Sequence, residues 1–256
     1  MEATELSLKN EKPRQNNSPL LPSNLRGLII GKSNCGKSVL LFNLLLKKGW
    51  LDYDNLLVFG NSLHQPEYEL IKKGFEYGLQ KNEILEAFHA KNPLETVEET
   101  AAKTGVKTGE PTAEFYEDCE LIPDPKTLDT ELKNLLILDD CYLGKQSKAQ
   151  SYYTRGRHWS CDCIYISQNY FALPRNSVRE NANFIILFPQ NAKSVVHIYQ
   201  DHCTEISFPE FKELCREIWS SRKFNFLTID LTSSPLGGKY RKNLDTFYIP
   251  NTYKTT

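Results

Sequence analysis

Short apolar runs alternate along this chain with longer stretches whose apolar residues recur every three or four positions. Residues 25–30, 55–59, 135–138, 163–167 and 184–188 are compact apolar runs bounded by polar residues, the pattern of strands buried on both faces. Residues 224–231 alternate like a final strand. The run 37–48 carries Val39, Leu40, Phe42, Leu44 and Leu46 on nearly all sides, as a helix wedged beside a sheet would. In 64–89, Tyr68, Ile71, Phe75, Leu79, Ile84, Leu85 and Phe88 are spaced for one helical face. Residues 149–157, 192–200 and 208–220 also read as helices, the last opening on a Ser-Phe-Pro-Glu start signal. Strands alternating with helices predict an α/β fold, a mostly parallel central sheet with helices on both faces.

Two stretches break the pattern. Residues 1–22 are rich in Asn, Pro and charge with little periodicity, and predict a flexible N-terminal tail. Residues 91–113 are dominated by Glu, Thr, Lys and Gly, and predict a polar surface insertion near 90–115 with little structure of its own. No apolar run approaches the roughly 20 residues of a membrane span. The first 17 residues lack the apolar stretch of a secretory signal. The formal net charge is −1, so any contact with nucleic acid must come from a local basic patch or from loops that several subunits present together. Seven cysteines in no paired spacing read as small buried thiols of a reducing compartment. A zinc site from Cys161, Cys163, Cys203 and His202 is the less favoured reading, because alternation in a strand points Cys161 and Cys163 the same way.

The chemistry concentrates in three segments. Residues 31–38, Gly31, Lys32, Ser33, Asn34, Cys35, Gly36, Lys37 and Ser38, fit G-x-x-x-x-G-K-[ST], with an apolar strand before and a helix after. Glycines at 31 and 36 let the backbone curl so that successive N–H groups converge on phosphate oxygens, and the helix adds its positive end. Lys37 would reach the β- and γ-phosphates of ATP, and Ser38 would offer its hydroxyl to Mg²⁺. Residues 135–140 form an apolar strand ending in two carboxylates. Asp139 is placed to hold the shell of Mg²⁺, and Asp140 either polarises the attacking water or caps the turn. In residues 155–168 a basic cluster precedes a buried strand that ends in Ser167 and Gln168. Gln168 could hydrogen-bond the attacking water or the γ-phosphate. Arg155 and Arg157 are candidates for an arginine finger acting on a neighbouring subunit. Residues 174–179 could contact DNA or a subunit boundary, or lie free in a loop.

Together, residues 31–38, 135–140 and 155–188 resemble the FtsK–HerA branch of P-loop ATPases. Within that branch they look like the genome-packaging ATPases of double-stranded DNA viruses, of the kind encoded by poxviruses, virophages and Polinton/Maverick elements. In 155–188 the Gly-Arg-His, the apolar strand, the Ser-Gln-Asn-Tyr-Phe, the Leu-Pro and the Arg-Glu-Asn-Ala-Asn-Phe follow in the family's order. The resemblance covers about residues 25–230 and is weak in 60–130. It implies a RecA/ASCE-like P-loop NTPase: an ATPase domain over 23–235 between the 1–22 tail and a C-terminal extension over 236–256. It also implies a motor with ATP and Mg²⁺ as cofactors, working as a ring-shaped homo-oligomer, a hexamer or pentamer. The ring would translocate double-stranded DNA into a viral capsid, inside the infected host or at the virion vertex. By position, Lys37 and Ser38 bind nucleotide and metal, Asp139 is the Walker B acid, Asp140 takes the catalytic acid position, Gln168 matches the sensor glutamine, and Arg157 matches the trans arginine. One departure stands out: Asp140 is one methylene shorter than the family's usual glutamate. A nucleoside or nucleotide kinase and a non-catalytic ATP-binding assembly factor are the competing readings.

Overall fold

The computed structural model describes residues 15–104, 111–141 and 147–254. One nine-stranded sheet runs through the molecule. Its strands are β1 (Arg26–Ile30), β2 (Asn55–Gly60), β3 (Thr112–Tyr116), β4 (Asn134–Asp139), β5 (Cys161–Ser167), β6 (Phe184–Leu187), β7 (Leu227–Asp230), β8 (Tyr240–Lys242) and β9 (Thr246–Tyr248), in the spatial order β3-β2-β4-β5-β1-β6-β7-β8-β9. The six strands from β3 to β6 are parallel, and β7, β8 and β9 pair antiparallel.

Alternation along each strand divides the core in two. On one face Leu28, Ile30, Leu136, Leu138, Cys163 and Tyr165 join a cluster covered by α5 (Ser147–Arg155), α6 (Ala192–His202) and α7 (Phe208–Ser221). On the other, Ile29, Leu135, Ile137, Ile164 and Ile166 pack under α1 (Lys37–Leu46), α2 (Pro66–Glu76), α3 (Lys81–Phe88) and α4 (Pro93–Thr104). Strands apolar on both faces are what a covered parallel sheet requires. Among the described residues no helix is long and apolar enough to cross a membrane.

Four expectations need correction. The helical pattern over 64–89 is borne out but divided into two helices, because the chain turns at Gly78, whose φ of 66° is left-handed. The polar insertion contains α4 and the edge strand β3. Val97 is fully buried in the cluster beneath α1–α4, with Leu94 and Ala101 partly buried against it, so three small contacts anchor a mostly polar helix, while 105–110 lie outside the described residues. Residues 15–22 of the expected tail are fastened to the domain: Gln15 Nε2 donates to the carbonyls of Asn134 and Ser160, and Leu21 is buried. Residues 1–14 lie outside the description. The segment after 235 belongs to the sheet, since it supplies β8 and β9. Arg241 is buried and donates both to Asp230 Oδ2 at 2.5 Å and to the Leu20 carbonyl at 2.6 Å, which joins that end to the N-terminal segment.

The cysteine reading is corrected in part. Cys161, Cys163, Cys203 and Cys215 are buried free thiols and Cys35 is a half-exposed one, but Cys119 and Cys141 form a disulfide. No metal-binding cluster of His, Cys, Asp and Glu occurs among the described residues. His202 instead meets the Tyr170 hydroxyl at 2.9 Å.

Candidate functional site

Parallel register sets every candidate at a definite end of the sheet. Ile30 of β1 pairs with Ser167 of β5, and β5 in turn pairs Ile166 with Asp139 of β4. The loop after β1, the carboxylates closing β4 and the Gln168 that follows β5 therefore emerge together at the carboxyl edge. This edge is where open α/β sheets bind ligands.

The loop from Gly31 to α1 is held by close approach. A Cβ on Gly31 would stand 2.4 Å from Cys35 Sγ and 2.8 Å from Phe188 Cβ, so only glycine fits. The Gly31 N–H is fixed by the Ser167 carbonyl at 3.1 Å. Asn34 and Gly36 take left-handed φ values of 59° and 102°, as tolerated by an Asn and a Gly, and these turns curl the backbone into a nest at the start of α1. Lys37 is buried, and its ammonium donates to the Gly31 and Lys32 carbonyls at 2.7 and 2.9 Å. The cation is thus stored inside the loop it would serve. Ser38 is the second residue of α1.

Asp139 receives a hydrogen bond from the Tyr68 hydroxyl at 2.6 Å. Burial pushes its carboxyl up to about 6, against the Tyr68 hydrogen bond and with help from the Asp140 charge. Tyr68 belongs to α2 and was read only as an apolar position. The signal for more is chemical: a buried tyrosine needs a partner for its hydroxyl. Asp140 has φ of 51°, which swings it out of the strand. Its carbonyl accepts from Asn61 Nδ2 at 3.0 Å, and its carboxylate accepts from the Gln168 N–H at 3.1 Å and from Gln168 Nε2 at 2.9 Å. Gln168 Oε1 accepts from Ser33 Oγ at 2.8 Å. Ser33, Gln168 and Asp140 form one chain of contacts from the loop to the second acid.

The donor set fits a nucleotide with a hard cation: converging amides and an ammonium for phosphate, a serine hydroxyl and partly buried carboxylate oxygens for Mg²⁺. Lys32, Ser33, Asn34, Cys35 and Gly36 make up this loop after Gly31, and Lys37 and Ser38 open α1 directly behind it. Arg155 and Arg157 are not near it. Both are exposed and precede β5, at the opposite edge of the sheet. The seven-residue length of β5 separates that edge from Gln168, about 20 Å at strand rise. Residues 174–179 are ordered into the domain. Arg179 is buried and donates to Asp201 Oδ2 at 3.0 Å, and Arg175 pairs with Glu180.

One strand, β5, stands between the strand that leads into the phosphate loop and the strand that carries the paired carboxylates. That order, with residues 31–38 at the carboxyl edge, makes this a P-loop NTPase fold of the RecA/ASCE type. No family model matches the chain, and no curated protein matches its sequence. Among solved structures it is similar to the genome packaging NTPase B204 from Sulfolobus turreted icosahedral virus 2 in complex with ATP-gammaS, at 15% identity over 82% of this chain and 93% of that one, with a TM-score of 0.49. It is also similar to B204, the DNA-packaging ATPase from Sulfolobus Turreted Icosahedral Virus, at 16% identity over 82% and 94%, with a TM-score of 0.49. A third likeness is to VirB4 of Thermoanaerobacter pseudethanolicus, at 12% identity over 89% and 90%, with a TM-score of 0.47. At these identities strand order and loop geometry, rather than the likenesses, assign the fold.

Proposed function

We propose that this chain is an ATP-hydrolysing motor that moves double-stranded DNA into a viral capsid, acting as a ring of identical subunits. The observation that carries the ATPase part is the Ser33–Gln168–Asp140 chain, which joins the phosphate loop to the acid beside the metal-binding one. A change at the γ-phosphate end of the loop reaches Asp140 through a single side chain. The packaging part rests on the sequence resemblance in residues 155–188. Bound Mg²⁺ would offset charge on the phosphates and fix their orientation. Ser38 and Asp139 would hold it. Lys37 would exchange its two carbonyl partners for phosphate oxygens, a charge-assisted bond in place of neutral ones. Asp140 would orient the attacking water and accept its proton, while Gln168 holds the carboxylate on the loop side. Arg157, facing away from its own loop, would serve the nucleotide of an adjacent subunit. The assembly would work inside the host cell, at the capsid vertex.

Turnover measured with and without linear duplex DNA, alongside native mass in ATP, tests this reading. Turnover should rise with DNA and with ring formation, and Lys37→Ala should lower it by about 10³-fold or more, since the developing phosphoryl charge loses its protein cation. Phosphate transfer that needs a nucleoside acceptor would mark a kinase. Binding without turnover, in an assembled ring with DNA, would mark a scaffold.

A further inference from the structure

The loop between α7 and β7 puts an unused aromatic ring beside the phosphate cradle. Leu227 pairs antiparallel with Leu187 at the carboxyl end of β6, so this loop rises at the same edge as residues 31–38. Phe224, within it, has φ of 70°, a region that a bulky side chain rarely enters. Its neighbours explain why the loop is firm but not why the ring is there. Asn225 is buried and donates to Ser221 Oγ at 2.8 Å, and Phe226 is buried against Phe188 with ring centroids 5.2 Å apart. Phe224 alone turns outward, 53% exposed. A Cβ built on Gly36 would lie 3.5 Å from its Cδ1, so the ring stands in contact range of the loop's second glycine. One helical turn beyond that glycine, Val39 of α1 is 48% exposed, although α1 is otherwise a core helix.

Two apolar side chains are thus exposed close to the loop's second glycine, one in contact range of it and one a helical turn beyond. Single exposed apolar side chains are ordinary, but Phe224 is held at a positive φ within contact range of the loop's second glycine. We infer that Phe224 is the stacking platform for the base of the bound nucleoside triphosphate, with Val39 packing on the base or ribose. The inference rests on the nucleotide reading of residues 31–38. The ring already draws a partner: Lys223 Nζ lies 4.7 Å from its centroid. That lysine is exposed and yields the face to a planar base. Stacking uses the π-face that every base offers, so this platform contributes affinity without choosing strongly between adenine and guanine.

The test compares Mg²⁺ complexes of a non-hydrolysable ATP analogue, its GTP counterpart and inorganic tripolyphosphate, titrated against wild type, Phe224→Gly, Phe224→Tyr and Lys37→Ala. Phe224→Gly should weaken both nucleotides about tenfold, leave tripolyphosphate unchanged, and leave the melting temperature level or higher, because glycine accepts the positive φ. Phe224→Tyr should restore nucleotide affinity. Lys37→Ala should lose all three ligands. Unchanged nucleotide affinity in Phe224→Gly, while Lys37→Ala loses it, overturns the platform and leaves the cradle standing. An equal loss of all three ligands in Phe224→Gly, with a lowered melting temperature, overturns it as well by making the ring structural. Wild-type protein that binds none of the three overturns the nucleotide reading itself.

Discussion

At the scale of single residues, function here is stored as local strain and burial. Asp140 and Asn34 occupy left-handed backbone, Gly31 admits no Cβ, and Asp139 is a partly buried carboxylate that accepts a hydrogen bond from the Tyr68 hydroxyl. Burying an ionised carboxylate costs several kcal/mol unless a cation or enough donors offset it. Asp139→Asn keeps an oxygen for the Tyr68 hydroxyl and removes the charge. This variant should melt several degrees above wild type in the absence of nucleotide, a gain of about 1–2 kcal/mol, yet lose turnover with ATP. Thermal melting and a phosphate-release assay check the two halves. A variant that melts lower than wild type would show that Asp139 is a stabilising group and not one held ready for a cation.

At the scale of elements, the N-terminal segment and the sheet are tied through one buried acid. Asp162, near the start of β5, accepts from the Leu25 N–H at 2.8 Å and from Asn17 Nδ2 at 2.6 Å. Burial outweighs both hydrogen bonds and pushes its carboxyl up to about 7. The folded pKa is above the unfolded one, so the folded state binds the extra proton. The stability gained is complete below about pH 4 and is lost as pH rises through about 7, on the order of a few kcal/mol. His202 acts in the opposite sense, since burial lowers it to about 4 and its contribution is lost as pH falls. Comparing wild type with Asp162→Asn separates the two. The urea midpoint of nucleotide-free wild type should drop more between pH 5 and pH 8 than that of the variant, and parallel pH profiles would remove Asp162 from the account.

The same tie shows where sequence reading stops. Strands β1, β2, β4, β5 and β6 were legible because double-sided burial leaves continuous apolar runs, and the three motif segments fall on their ends. β8 and β9 were not legible: they are three residues each, and their hold comes from buried Arg241 and its partners more than 200 and 11 positions away, Leu20 and Asp230. α4 escaped because Val97 is its one fully buried anchor. In the candidate site, the convergence of residues 31–38, Asp139, Asp140 and Gln168 at one sheet edge was readable from motif and strand position. Tyr68, Asn61 and Phe224 were not, since each joins the site across long stretches of chain that no local pattern links.

At the scale of the whole molecule, the distance between Arg157 and residues 31–38 sets how many chains the proposed site would need if Arg157 serves it. Arg157 precedes β5, Gln168 follows it, and a seven-residue strand cannot be shortened. An arginine serving hydrolysis from this position must therefore serve another copy, and a lone subunit would have an incomplete site. Lys37→Ala and Arg157→Ala should each lower turnover by about 10³-fold or more when assayed alone. Mixed in equal amounts and allowed to reassemble, they should regain activity. About one interface in four would then set an intact loop against an intact arginine from its neighbour, as random placement in a cyclic ring dictates. Recovery near that fraction is the expected result, read as turnover against mixing ratio at fixed total protein. If the mixture stayed as inactive as its parents while both still formed rings with wild-type subunits, the arginine would not act across the interface. If Arg157→Ala alone kept full turnover, the catalytic cation would have to come from elsewhere in the ring.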